Sequence, residues 1–170
     1  MTRVIAGSAG GRRLVTPEGM DTRPTTDRCK EALFGVIQFR IAGCSFLDLF
    51  AGSGQIGIEA LSRGAVSLDC VEMDRRALAC IRQNLKALNM QQQSRVWPMS
   101  VERALEELSR QGRTFDLIFM DPPYEHGWEE KIGEMVGHLE LLSPQGLLII
   151  ESSSKTEVNL TSLEKEKEKI

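Results

Sequence analysis

Asp121-Pro122-Pro123-Tyr124 follows the apolar run Phe115-Asp116-Leu117-Ile118-Phe119-Met120, about seventy residues after the loop Asp48-Leu49-Phe50-Ala51-Gly52-Ser53-Gly54. The first element combines a carboxylate, a turn whose φ is fixed by proline, and an aromatic face, a set that can hold a flat ring bearing an amino group. The second offers a glycine loop for a nucleoside cofactor. Together they read as a site for methyl transfer to a ring amine.

The chemistry explains the residue types. An exocyclic amine on guanine or adenine is a poor nucleophile because its lone pair is delocalised into the ring. If the Asp121 carboxylate and the Pro122 carbonyl accept its two N–H bonds, the lone pair is aimed at the incoming methyl group. Pro123 completes the rigid turn, and Tyr124 can stack on the base for about 1 to 3 kcal/mol. Orientation is the main service, and no metal is called for. Asp121 can also draw off the proton, although an ordinary aspartate is a weak base.

Gly52-Ser53-Gly54-Gln55-Ile56-Gly57 satisfies the spacing of a nucleotide loop between a strand and a helix. Glu72 ends the following strand, where a carboxylate can accept both ribose hydroxyls. A dinucleotide would bring a pyrophosphate to this loop, which the Asp48 carboxylate would repel. S-adenosylmethionine carries an ammonium and a sulfonium and no phosphate, so Asp48 favours it. Phe50, Ala51 and Ser53 fill out the loop's cofactor wall, Met73 is placed to cover an adenine, and Ser100, after the third strand, to touch its amino group. Ser53 has no histidine in context and does not read as a nucleophile.

The elements that must position these residues follow from periodicity. Strands are expected at 46–50, 67–72, 95–98, 115–120 and 147–151, and helices at 29–39, 55–63, 75–88, 101–110 and 128–141. Such alternation implies an α/β chain with a doubly wound parallel sheet, whose ligands sit at the carboxyl ends of its strands. In the first helix Ala32, Leu33, Val36 and Ile37 form an apolar face, capped from Thr25, Thr26 and Asp27. Residues 3–16 suggest a hairpin or extended arm, and 161–170 a solvated helix or outer strand. The division expected is 1–44 for arm and first helix and 45–170 for the main domain.

Bulk properties narrow the class. The chain has 170 residues, enough for one domain with its own core, and four cysteines without C-x-x-C pairing, which suits reduced thiols in the cytoplasm. No long apolar run marks a membrane span or a signal peptide. Net charge is −3, yet residues 1–30 hold six basic residues against three acidic ones, so +3 sits in the arm and −6 in the rest. A basic arm containing Arg3, Arg12, Arg13, Arg23, Arg28 and Lys30 on an acidic body suits contact with phosphates. Trp97 and Trp128 read as packing, with Trp128 able to border a base pocket; Glu102, Glu106 and Glu107 as a solvated helix face; His138 as a surface residue; and His126 as a solvated loop residue.

With these residues placed, the chain resembles the bacterial RsmD family, which methylates guanine N2 in 16S ribosomal RNA. The resemblance rests on Arg3-Val4-Ile5-Ala6-Gly7, Gly11-Arg12-Arg13-Leu14, Thr22 to Arg28, Glu31-Ala32-Leu33-Phe34, Leu47 to Gly54, Glu72-Met73-Asp74, Asn84-Leu85 and Asp121 to Tyr124. It implies a Rossmann-like class I S-adenosylmethionine-dependent methyltransferase acting on a partly or fully assembled small ribosomal subunit. It further implies that Asp48, Gly52, Gly54 and Glu72 hold the cofactor, that Asp121 to Tyr124 hold the guanine, that Arg23, Thr25 and Arg28 border cofactor or RNA, and that Arg12 and Arg13 meet RNA phosphates. Ser100 stands where that family often has Asp or Asn. Family members continue into a closing antiparallel hairpin, so an incomplete hairpin is expected here. A DNA adenine-N6 methyltransferase, an enzyme modifying a glutamine side chain, an NAD-dependent oxidoreductase and a non-catalytic RNA-binding module are the competing readings.

Overall fold

A computed structural model describes residues 2–19, 26–123 and 127–166. After α1 (Asp27–Ile41) the chain alternates β1 (Ser45–Leu49), α2 (Gln55–Ser62), β2 (Ser67–Glu72), α3 (Arg75–Ala87), β3 (Ser94–Pro98), α4 (Val101–Arg110), β4 (Phe115–Met120), α5 (Trp128–His138) and β5 (Leu142–Ile150). The sheet runs β3-β2-β1-β4-β5, and every pairing is parallel. Strand order reverses beside β1, so the crevice between the ends of β1 and β4 is where an open α/β sheet takes its ligand.

The pleat divides the core. Phe46 and Leu117 point to the face covered by α1, α2 and α3, with Phe34, Ile37, Ile58 and Ile81. Leu47, Leu49, Phe115 and Ile118 point to the face covered by α4 and α5, with Leu105 and Ile132. Strands buried on both faces read as nearly continuous apolar runs, which is why β4 falls where the sequence puts it.

Three expectations are corrected. The buried stripe of α1 is Lys30, Phe34, Ile37 and Ile41, while Ala32 and Val36 are exposed. The true stripe was masked by its lysine: Lys30 is fully buried and its ammonium donates to the Arg3 carbonyl. It is therefore a fastener and not part of a cationic arm. β5 starts at Leu142, ahead of the expected 147, because Ser143-Pro144-Gln145-Gly146 reads as a turn but is absorbed as a register irregularity against β4, with Gln145 at φ 68°. Residues 161–166 form neither helix nor strand; Thr161 and Ser162 hydrogen-bond to Glu134 on α5.

The N-terminal arm is docked. Arg3 and Arg13 form an isolated antiparallel bridge, and the fully buried Glu59 of α2 accepts from the Ile5 and Ala6 amides while pairing with Arg63. Ser62 bonds Ala6 and Ala9, and Asn84 of α3 bonds both backbone groups of Val15. Gly7 closes this dock at φ +85°, where a Cβ would lie 1.9 Å from the Ser62 carbonyl oxygen. Gly7→Ala is expected to cost about 2 to 4 kcal/mol and to lower Tm by about 5 to 12 °C; an unchanged melting curve would contradict the docking.

Candidate active site

The glycine loop leaves β1 through residues forced into unusual backbone. Phe50 lies at φ 58°, Gly52 at φ 59° and Gly54 at φ 83°, and a Cβ at Gly52 would point into open space. A non-glycine residue in that region stores strain, which collects at ligand sites. Phe50 meets Trp128, the first residue of α5, edge-on with ring centroids 5.9 Å apart. That contact ties the glycine loop to the far side of the Asp121 turn. Gly57, third glycine of the motif, allows α2 to approach β2, since a Cβ there would be 2.4 Å from Leu68 Cδ1.

Asp48 is 1 % exposed, and its Oδ2 accepts from the Gly57 amide at 3.1 Å. Burial drives its pKa up to about 8; the Gly57 bond works against that rise, and Asp121 and Glu72 add to it. Among the described residues no cation pairs with it. Glu72 Oε2 accepts from Gly52 N at 2.8 Å, and Oε1 from Met73 N and Asp74 N, both at 3.0 Å. A carboxylate has about four acceptor positions, so this arrangement leaves room for one ribose hydroxyl where both were expected. Met73 is 69 % exposed and lines an open cleft with Glu72, Asp74, Arg75 and Arg76. It is a surface residue beside the loop and not a core methionine. Ser100 caps α4, its hydroxyl accepting from Arg103 N at 3.4 Å. Ala51 and Ser53 are buried within the loop.

β4 delivers Asp121 and Pro122 directly beside this loop, with Met120 in register with Leu49 on one side and Ile150 on the other. Asp121 is half-buried and Pro122 buried. Among the described residues neither the Asp121 carboxylate nor the Pro122 carbonyl receives a hydrogen bond. Burial, and then the Glu151 carboxylate, push the pKa of Asp121 up to about 7. Pro123 is exposed. Tyr124, Thr25, Arg23 and His126 lie outside the described residues.

Two residues of this crevice went unnoticed in sequence. Glu151 follows β5 as Asp121 follows β4, and its amide donates to Met120 O at 2.9 Å; that equivalence of strand ends was its only signal. Gln55, first residue of α2, has a buried Oε1 without a donor among the described residues. The arm residues are less uniform than their shared charge suggests. Arg3 pairs with Asp27 at 3.0 Å and Arg12 donates to the Ala87 carbonyl, while the side chains of Arg13 and Arg28 are exposed without a partner among the described residues. Trp97 is packed, donating to Asp69 at 2.8 Å, and His138 is a surface residue near Glu134.

The sequence model of the family described as Conserved hypothetical protein 95 matches residues 2–170. The chain belongs to that family. It is 38 % identical over 156 residues to the putative rRNA methyltransferase YlbH of Bacillus subtilis, covering 92 % of this chain and 85 % of that protein. To ribosomal RNA small subunit methyltransferase D of Escherichia coli K12 it is 35 % identical over 150 residues, covering 88 % and 74 %. A solved structure of a Thermus thermophilus protein superposes with a TM-score of 0.83 at 30 % identity, covering 93 % of this chain and 90 % of that one. The resemblance to the RsmD family therefore extends across nearly the whole chain, and its α/β fold is that of methyltransferases in this family. Among the described residues no helix is long and apolar enough to cross a membrane.

Proposed function

We propose that this chain transfers a methyl group to the exocyclic N2 amine of a guanine in 16S ribosomal RNA, acting in the cytoplasm on an assembling or assembled small subunit. It is an S-adenosylmethionine-dependent methyltransferase. The observation that carries the finer reading is a pair of acceptors at the end of β4, the Asp121 carboxylate and the Pro122 carbonyl, which lack donors among the described residues and suit an amine with two N–H bonds.

The cofactor supplies a methyl group made electrophilic by a sulfonium. The residues present fit such a ligand. A fully buried carboxylate without a cation and a buried amide oxygen without a donor are costly unless a positively charged, hydrogen-bonding group joins them. Asp48 and Gln55 would serve its ammonium end, Gly52 and Gly54 would let it approach the backbone, Glu72 would take a ribose hydroxyl, and Phe50, Ala51, Ser53 and Met73 would wall it. Asp121 and Pro122 would hold the amine and orient its lone pair. With its pKa near 7, Asp121 is a far better proton acceptor than an ordinary aspartate. Tyr124 is proposed to stack on the base.

Radiolabelled S-adenosylmethionine with small subunits from cells lacking the endogenous activity, followed by digestion and nucleoside identification, tests this directly. N2-methylguanosine is expected. No label in subunits, with label recovered in N6-methyladenine in a parallel reaction on DNA, would replace the reading with DNA methylation, because the adenine amine offers the same two N–H bonds. RNA binding without incorporation would leave a binding module.

A further inference from the structure

We propose that α3 and the docked arm form one RNA-docking face that begins at the cofactor cleft, an inference that rests on RNA being the substrate. α3 buries Ala77, Leu78, Ile81, Asn84 and Leu85 against the sheet. Its outer side carries Arg75, Arg76, Arg82 and Lys86, all exposed, and the helix contains no acidic residue. Arg75, Arg82 and Lys86 are spaced by seven and four residues, so they share one stripe about 16 Å long. That length can meet several phosphates of a nucleic-acid strand.

Ordinary helix stability does not account for this pattern. Arg75 and Arg76 occupy the first turn, where the helix dipole disfavours cations. α4 shows what a merely solvated face looks like in this protein: Glu102, Arg103, Glu106, Glu107 and Arg110 mix both signs, and Glu102 and Glu107 form ion pairs. On α3, Arg75, Arg82 and Lys86 have no carboxylate partner among the described residues. The arm continues the same face. Arg12 reaches the Ala87 carbonyl at the end of α3, Arg76 reaches the Glu18 carbonyl, and Arg13 stands exposed next to Arg12 in the arm. At its other end the stripe enters the cleft lined by Glu72, Met73, Asp74, Arg75 and Arg76. On a chain of net charge −3, such concentration gives an anionic polymer a landing surface whose end lies at the cleft beside Glu72, at the end of β2.

The test is direct binding of 16S ribosomal RNA to the full chain by filter retention across a salt series, which needs no methyl transfer. The double variant Arg82→Glu/Lys86→Glu is compared with Arg103→Glu/Arg110→Glu on α4, which changes net charge equally. The α3 variant is expected to lose about 10- to 100-fold in affinity at about 150 mM salt, and its log–log salt slope to become shallower by about 1 to 2. The α4 variant should stay within about threefold of the parent, and S-adenosylhomocysteine affinity and Tm should be preserved in both. Equal losses in the two variants, an unchanged salt slope in the α3 variant, or no RNA binding by the parent would each overturn the proposal. If the α3 variant alone loses RNA while the parent incorporates no label, the docking face stands and the methylation reading falls.

Discussion

Asp121→Ala is expected to lower kcat for methyl transfer by about 10²- to 10⁴-fold while S-adenosylhomocysteine affinity stays within about threefold. In the proposed site the carboxylate would be one of two acceptors for the amine, so its loss would leave the lone pair unaimed and the departing proton without a nearby acceptor. Asp121→Asn separates these duties. An amide oxygen can still accept an N–H bond but cannot take a proton, so a smaller loss, about tenfold, is expected if orientation dominates. A variant with parental kcat at saturating RNA would remove Asp121 from the chemistry.

The pH profile follows from the same carboxylate. Asp121 must be ionised to accept both the N–H bond and the proton, and burial places its pKa near 7. With cofactor saturating, kcat/KM for RNA should therefore fall as pH drops from about 8 to 6, with an acid limb close to 7. Glu151→Gln removes the neighbouring negative charge and should move that limb to lower pH, and Asp121→Asn should flatten it. A limb that stays in place when Glu151 is neutralised would assign it to another group.

How much of this was legible beforehand depended on where each residue's partners lie. The placement of Asp48, the glycines, Asp121 and Pro122 at strand ends was legible because each motif is contiguous and sits at the end of an apolar run, and the parallel sheet brings all such ends to one edge. Gln55 and Glu151 belong to the same edge but are single polar residues whose meaning comes from neighbours on other strands. The arm shows the same limit. Glu59, Ser62 and Asn84 look like solvated helix residues, yet each holds backbone 53 to 69 positions away. Lys30 misled twice, by hiding the true face of α1 and by inflating the arm's charge. Charge counted over the first thirty residues also diverted attention from α3, where Arg75, Arg76, Arg82 and Lys86 lie on one helix without an acid to balance them.

Asp48→Asn is expected to weaken S-adenosylmethionine binding by about 10- to 100-fold and, without cofactor, to make the protein more stable at about pH 8. Both effects come from one buried carboxylate. Its folded pKa, driven up to about 8, lies far above the unfolded value near 4, so the native state holds a proton that the unfolded chain has lost. Stability from this group is complete below about pH 4 and is lost progressively as pH rises through about 8. The amide of the Asp48→Asn variant does not titrate and carries no such dependence, so the variant's Tm advantage should grow steadily as pH rises from about 4 to 8, by about 6 to 12 °C between about pH 5.5 and 8. A cationic ligand reverses the balance by stabilising the ionised form. S-adenosylmethionine binding to the parent protein should therefore release up to about one proton and tighten as pH rises from about 6 to 8. Calorimetry in two buffers of different ionisation enthalpy measures that proton. No proton release, together with parental affinity in Asp48→Asn, would mean that Asp48 serves only to hold the Gly57 amide and that the cofactor's charge is met elsewhere.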